Sequence, residues 1–201
     1  MSDRLGRALL ARAATRLGHC GLPSLALMTD DERLPDPLAA ARALPRGSMV
    51  VVRARDAVKR ERLSRDLLKV ARKPGIAVVI AGDPLLAARL GADGAHLPEA
   101  RMHEAAQWRA RFPAMMFTAG AHSFHAAMRA RLLPIDAIFL SPVFPTRSHP
   151  DGAALTATRA NIIARAFNGP VYALGGVNAC NATLLARDAF AGIAAIGALA
   201  V

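Results

Sequence analysis

The sequence predicts an α/β fold, a (β/α)8 TIM barrel with an extra N-terminal helix, because eight short apolar runs alternate with stretches of helical spacing over 201 residues. The runs fall at 24–28, 48–52, 76–81, 94–97, 114–118, 137–140, 171–174 and 193–196. Between them, 59–72, 84–90, 103–112, 123–132, 156–167 and 178–190 carry helical periodicity. Eight buried strands suit a closed barrel better than an open sheet of five or six, with a doubly wound or ferredoxin-like sheet as the competing architecture. No Pro/Gly/Ser-rich linker interrupts the alternation, so 1–201 reads as one domain.

The first helix is predicted from Leu5, Leu9, Ala13 and Leu17, with Ser2 or Asp3 as its cap. Apolar residues make up 53% of the chain and aromatics only 4%, so the core must be built from Val, Ile, Leu and Ala, the mixture that fills parallel barrels. The segments 30–37 and 141–155 read as polar loops leaving the C-terminal ends of the first and sixth strands, where barrels place their active sites.

Several classes of protein are excluded or disfavoured. No apolar run approaches the roughly 18 residues of a membrane span. Cys20 and Cys180 belong to no CxxC pair or Cys/His cluster, which argues against a disulfide framework or structural zinc and for idle thiols in a reducing cytoplasm. A net charge of +11 favours anionic partners. The arginines are scattered over helix-like stretches, however, and one Trp and one Tyr leave little for base stacking. Nucleic acid and membrane are therefore not expected partners, small phosphorylated molecules are, and assembly into a homo-oligomer is left open.

Candidate chemistry gathers at the predicted strand ends. Gly175 and Gly176 follow the seventh run and Gly197 the eighth, where barrels often let backbone N–H groups approach a phosphate. Arg53 and Arg55 continue the second run with a spacing of two, so their guanidinium groups share a face, either holding a phosphate in the mouth or entering solvent. Asp83 directly precedes Pro84; it reads first as a helix cap and second as a lone magnesium carboxylate. Asp93 serves a turn, and His96 is a packed strand residue without a metal partner at ligand spacing. His122 lies just past the fifth run and could face the mouth, while Ser123 is placed to start a helix.

Taken in order, LMTD, VVRAR, GADGAHLPE, FLSPVFPTRSHP and VYALGGVNACNATLLARDAFAGIAAIGAL resemble the thiamine-phosphate synthase family and its relatives, the thiazole tautomerases. The similarity runs from about Leu25 and is strongest from Asp136 onward. The resemblance implies a (β/α)8 barrel that joins hydroxymethylpyrimidine diphosphate to thiazole phosphate and releases pyrophosphate with magnesium. It places Arg53 and Arg55 on the family's cationic pair and Asp83 on one magnesium aspartate. It also places Thr146 and Ser148 on two hydroxyls, and Gly176 with the Ile196–Gly197 backbone on the thiazole phosphate.

The departures from the family pattern are equally specific. Val51 replaces a pyrimidine-side Gln, Gly82 an Asn, Arg101 the second magnesium aspartate, Gly120 a Ser and His149 a loop Lys. Pro142 stands where a tautomerase has its catalytic His. Arg101 is then expected to meet the diphosphate in place of metal, or Glu99 to supply a substitute carboxylate. The leading expectation is a divergent synthase in which Arg53, Arg55, Ser148 and His149 act on the substrates. Thr146, Gly175, Gly176, Ile196, Gly197, His122 and Arg101 would bind them, and Mg2+ would rest on Asp83 although the second carboxylate is missing. The alternative is a relative that binds a thiazole phosphate as carrier or regulator without turnover.

Overall fold

The computed structural model describes residues 3–17, 21–72, 74–146 and 154–201. Its strands are β1 (Leu25–Met28), β2 (Met49–Val52), β3 (Ala77–Ala81), β4 (Gly94–Leu97), β5 (Met116–Ala121), β6 (Ala137–Leu140), β7 (Val171–Ala173) and β8 (Gly192–Ala195). Each pairs in parallel with the next, and β8 closes on β1 through Leu25↔Ile193 and Ala26↔Ala194. The helices are α1 (Asp3–Ala14), α2 (Pro37–Arg42), α3 (Ala57–Ala71), α4 (Pro84–Leu90), α5 (Ala105–Arg111), α6 (Phe124–Ala130) and α7 (Thr156–Phe167).

The strands are apolar on both faces because both are buried. Leu25, Leu27, Val50, Val52, Val78 and Ile80 belong to the layer shared with the helices, where Leu67, Leu86 and Ala87 pack. Their neighbours Ala26, Met28, Met49, Val51, Val79, Ala137, Phe139, Tyr172 and Ala194 fill the barrel interior. There, Phe139 and Tyr172 stack with ring centroids 4.8 Å apart, and Tyr172 Oη donates to the Pro23 carbonyl at 2.5 Å.

Side-chain oxygens just past the strand ends start the helices that follow. Asp36, Asp56, Asp83 and Ser123 accept from the N–H of Ala39, Lys59, Leu86 and Ala126 at 2.8, 2.7, 2.9 and 3.0 Å. At the opposite end of the barrel, Asp93 and Asp136 accept from the N–H of Val78 and Phe117 at 2.7 and 2.6 Å, tying strand starts together.

Five sequence expectations change. Residues 30–37 were expected to be loop alone, but Asp36 and Pro37 start α2. The fifth strand begins later and runs on to Ala121, which carries Gly120 to the mouth. The predicted 103–112 helix is split into a 3-10 helix, Glu99–Glu104, and α5. The predicted helix at 178–190 is instead a set of turns with a single 3-10 helix, Ala182–Leu184. Asn178 and Asn181 are the cause: each side-chain oxygen accepts from the other's backbone N–H, at 3.2 and 2.9 Å, and draws the chain into turns.

The fifth change concerns α1. Its buried stripe is Leu10 and Ala14, continued by Leu17, whereas Leu5 and Leu9 are exposed. Arg7 Nη1 donates to the Ala200 carbonyl at 2.7 Å, so α1 docks where the chain beyond β8 forms only the 3-10 helix Gly197–Leu199. The expected Ser2 or Asp3 cap and Cys20 lie outside the residues and side chains described.

Closure depends on a close approach between β4 and β5. A Cβ at Gly94 would sit 2.5 Å from the Met116 carbonyl oxygen. Gly94→Ala should therefore cost roughly 1–3 kcal/mol of stability, read from the midpoint of urea unfolding.

Candidate active site

A cavity of about 490 Å³ opens at the C-terminal ends of the strands, a size suited to a small ligand. Its floor is apolar: Met28 ends β1, Ala81 ends β3, Phe139 comes from β6, and Leu174 and Ile196 follow β7 and β8. Val51, two residues before Arg53, is fully buried in the interior beneath.

One polar side chain interrupts the floor. His96 on β4 is 8% exposed, and its Nδ1 lies 2.9 Å from the Thr118 hydroxyl on β5. Burial, and then the positive charge of Arg53, push its pKa down from 6.5 to about 4, so the ring is neutral at pH 7. Phe139 meets it edge-on at 5.0 Å.

The charged wall is guanidinium-rich. Arg33, Arg53, Arg55 and Arg60 line the cavity. Arg53 follows Val51 by two residues, and its backbone is fixed by Thr29, whose hydroxyl accepts from Arg53 N–H at 2.8 Å and donates to Arg53 O at 2.9 Å. Asp30, after β1, holds Arg33 at 2.9 Å and Arg53 at 3.6 Å. The Arg33 side chain, followed by backbone N–H donors, holds the Asp30 carboxyl far below its ordinary range, so the anchor stays charged. Arg55 is exposed and lies 3.6 Å from Glu32. Arg60 reaches in from α3 with Nη1 on the Ala54 carbonyl at 2.9 Å, and its buried Nε has no hydrogen-bond partner.

Across the barrel mouth lie Ser141 and Thr146, which follow β6 four strands from β2, and Gly175, which follows β7, with Ile196 beyond β8. The glycine pair also serves packing. A Cβ at Gly175 would come within 2.8 Å of Pro142 Cα, and one at Gly176 would collide with the Pro145 and Phe144 carbonyls. Phe144 N–H donates to the Gly175 carbonyl at 3.0 Å, fastening the loop after β6 onto the end of β7.

Of the residues singled out in the sequence, Arg53, Arg55, Thr146, Gly175, Ile196 and His122 line the cavity. Gly176 and Gly197 do not, and Ser148 and His149 lie outside the described residues. Arg101 is also absent from the lining: Nε and Nη2 clamp Glu104 at 2.7 and 2.8 Å, while Nη1 donates to the Gly82 carbonyl at 3.0 Å. That clamp, joined by Trp108, pulls Glu104 down to about 2. Glu99 lines the cavity but is committed as well. It accepts from His122 N–H at 2.8 Å, meets His122 Nδ1 at 2.8 Å and lies 3.3 Å from Arg129.

The residues present do not fit a magnesium ion. Asp83 spends Oδ1 on the α4 cap, and its Oδ2 is 4.0 Å from Arg60 Nη2. The neighbouring Gly82 carbonyl is taken by Arg101. Among the described residues no three His, Cys, Asp or Glu side chains converge as a metal site. Sequence reasoning missed Arg33 and Arg60 because neither lies at a strand end; the DDERLPDP loop and the α3 face bring them in.

The family profile described as "Thiamine monophosphate synthase" matches residues 25–199. The chain belongs to the thiamine monophosphate synthase family. An Aquifex aeolicus protein named "Putative thiamine-phosphate synthase 2" is 30% identical over 161 residues, covering 78% of this chain and 86% of that protein. The thiamine-phosphate synthase of Chlorobium luteolum is 30% identical over 181 residues, 88% of this chain and 85% of that protein. The structure of a thiamine phosphate pyrophosphorylase from Pyrococcus furiosus superposes with a TM-score of 0.69 at 22% identity, over 86% of this chain and 84% of that one, a likeness of fold. Among the described residues of this family member, no helix is long and apolar enough to cross a membrane.

The neutral His96 sets a pH dependence. Its folded pKa lies below the unfolded one, so the unfolded chain takes up the proton first as pH falls. Stability from this group is complete above 6.5 and is lost progressively as pH falls from 6.5 toward 4. Over that window the native protein should lose up to about 3 kcal/mol more than His96→Gln. Denaturant titrations across pH read the difference, and equal slopes would remove the buried neutral imidazole.

Proposed function

We propose that this chain catalyses the reaction its family is named for: a pyrimidine methylene diphosphate and a thiazole phosphate are joined into thiamine phosphate, with release of pyrophosphate. The observation that carries the reading is the layout of the cavity. Guanidinium groups stand at the β2 side, loop and strand ends suited to a second phosphate stand at the β6–β8 side, and an apolar floor lies between them. This is the arrangement needed to hold two phosphorylated rings with their reacting atoms adjacent.

The bond between the methylene carbon and the diphosphate oxygen breaks, and the oxygen leaves with the electron pair. Arg53 and its neighbours stabilise the charge that gathers on the departing pyrophosphate. The methylene cation is captured by the lone pair of the thiazole nitrogen, so no proton has to be moved. His96, uncharged at pH 7, does not oppose a cation forming above it. Met28, Phe139 and Leu174 exclude the water that would otherwise capture it. The cytoplasm is the proposed location, in keeping with Cys180 being a free thiol.

The competing reading is a barrel that keeps the phosphate-binding side without turnover; the commitment of Asp83 to its cap and of Arg101 to Glu104 favours it. Purified protein given both substrates should form thiamine phosphate, detected as fluorescent thiochrome after oxidation. Arg53→Ala should lower kcat/KM by roughly 10²–10³-fold. Thiazole phosphate binding without any product from folded protein would transfer the assignment to the binding reading.

A further inference from the structure

We propose that the diphosphate is gripped directly by the guanidinium groups of Arg53 and Arg60, backed by Arg33 and Arg55, with no divalent cation between anion and protein. The inference deepens the reading above and rests on it for the entry of a diphosphate. Its grounds are the chemistry of the wall.

Among the described residues, four arginines line the cavity against one carboxylate, Glu99. That carboxylate is already engaged by His122 and Arg129. A cation brought to Asp83 would meet Arg60 Nη2, 4.0 Å from Asp83 Oδ2, and Arg101 Nη1 on the adjacent carbonyl. Two fixed positive charges therefore stand where metal ligands would be needed, and like-charge repulsion opposes a third. An anion meets the reverse situation. Arg60 is held by the Ala54 carbonyl through Nη1 and keeps a buried Nε–H without an acceptor. The Nε is closed to solvent, so the donor a phosphate oxygen would meet is Arg60 Nη2, which at 4.0 Å from Asp83 Oδ2 lies beyond hydrogen-bond distance of that carboxylate. Arg53 is anchored at its backbone by Thr29, and its guanidinium lies 3.6 Å from Asp30, so its position at the mouth is set before the ligand arrives.

The test is calorimetric titration of the full-length protein with inorganic pyrophosphate, in EDTA and in excess Mg2+. Binding should occur in EDTA, and Mg2+ should leave it unchanged or weaken it by sequestering the free anion. Arg60→Gln and Arg53→Gln should each weaken it about tenfold or more. Arg53, with a side chain 46% exposed, keeps the test open if Arg60→Gln fails to fold. Asp83→Asn, which retains a good cap, should bind at least as tightly as the native protein.

Binding that appears only with Mg2+, or tightens about tenfold with it and is lost in Asp83→Asn, would overturn the proposal. So would the absence of pyrophosphate binding in both buffers. The thiochrome assay is read separately: product formed only with Mg2+ would leave the synthase reading standing and remove the metal-free grip alone.

Discussion

Closing eight parallel strands on themselves forces every strand to be buried on both faces and leaves their ends as the places where polar groups can gather. The Leu25↔Ile193 pairing of β1 with β8 completes that closure, and the site is a consequence of it. Thr29 stands one residue beyond β1 and, through its hydroxyl, fixes the backbone of Arg53 one residue beyond β2. The backbone of Arg53 is thus positioned by the barrel itself, while Arg33 enters from the loop after β1 and Arg60 from α3.

Charge at the mouth is distributed by commitment. Asp30 anchors two arginines, Asp83 caps a helix, Glu99 bridges His122 and Arg129, and Glu104 is clamped by Arg101. Each of these carboxylates already serves structure, and the arginines that line the cavity outnumber the carboxylate that does so by four to one among the described residues. A site composed this way favours an anion over a cation before any ligand geometry is considered, because four guanidinium groups line it against a single carboxylate among the described residues. The apolar floor adds a second selection, for flat rings with few polar edges, with His96 set into that floor.

Much of this was legible in the sequence. Eight apolar runs and the helix starts at Asp83 and Ser123 report local physics, buried strand faces and capped N-termini, that no distant contact overrides. The order of GADGAHLPE, PVFPT and ALGGV carried the family. The 178–190 segment was misread because two asparagines that look tolerable in a helix bond each other's backbone instead. The α1 stripe was rotated because Leu5 and Leu9 have the same spacing as Leu10 and Ala14, and only the docking surface chooses between them. Gly176 was read as a phosphate approach, yet the loop after β6 already presses on it.

By itself the sequence determined the barrel, the caps at Asp83 and Ser123 and the family, since each follows from periodicity or motif within a short stretch of chain, and it left Arg53 open between mouth and solvent. Tertiary structure alone decided which charges are available. Asp83 was legible as a cap from the proline beside it, but whether its second oxygen, Glu99 and Arg101 were free for a ligand was not. Their partners lie elsewhere in the chain, Arg60 on α3, His122 after β5 and Gly82 after β3, and only folding brings those within hydrogen-bond or ion-pair reach. Whether a charged group is free to bind is a property of the space around it, and that space is made by closure of the barrel.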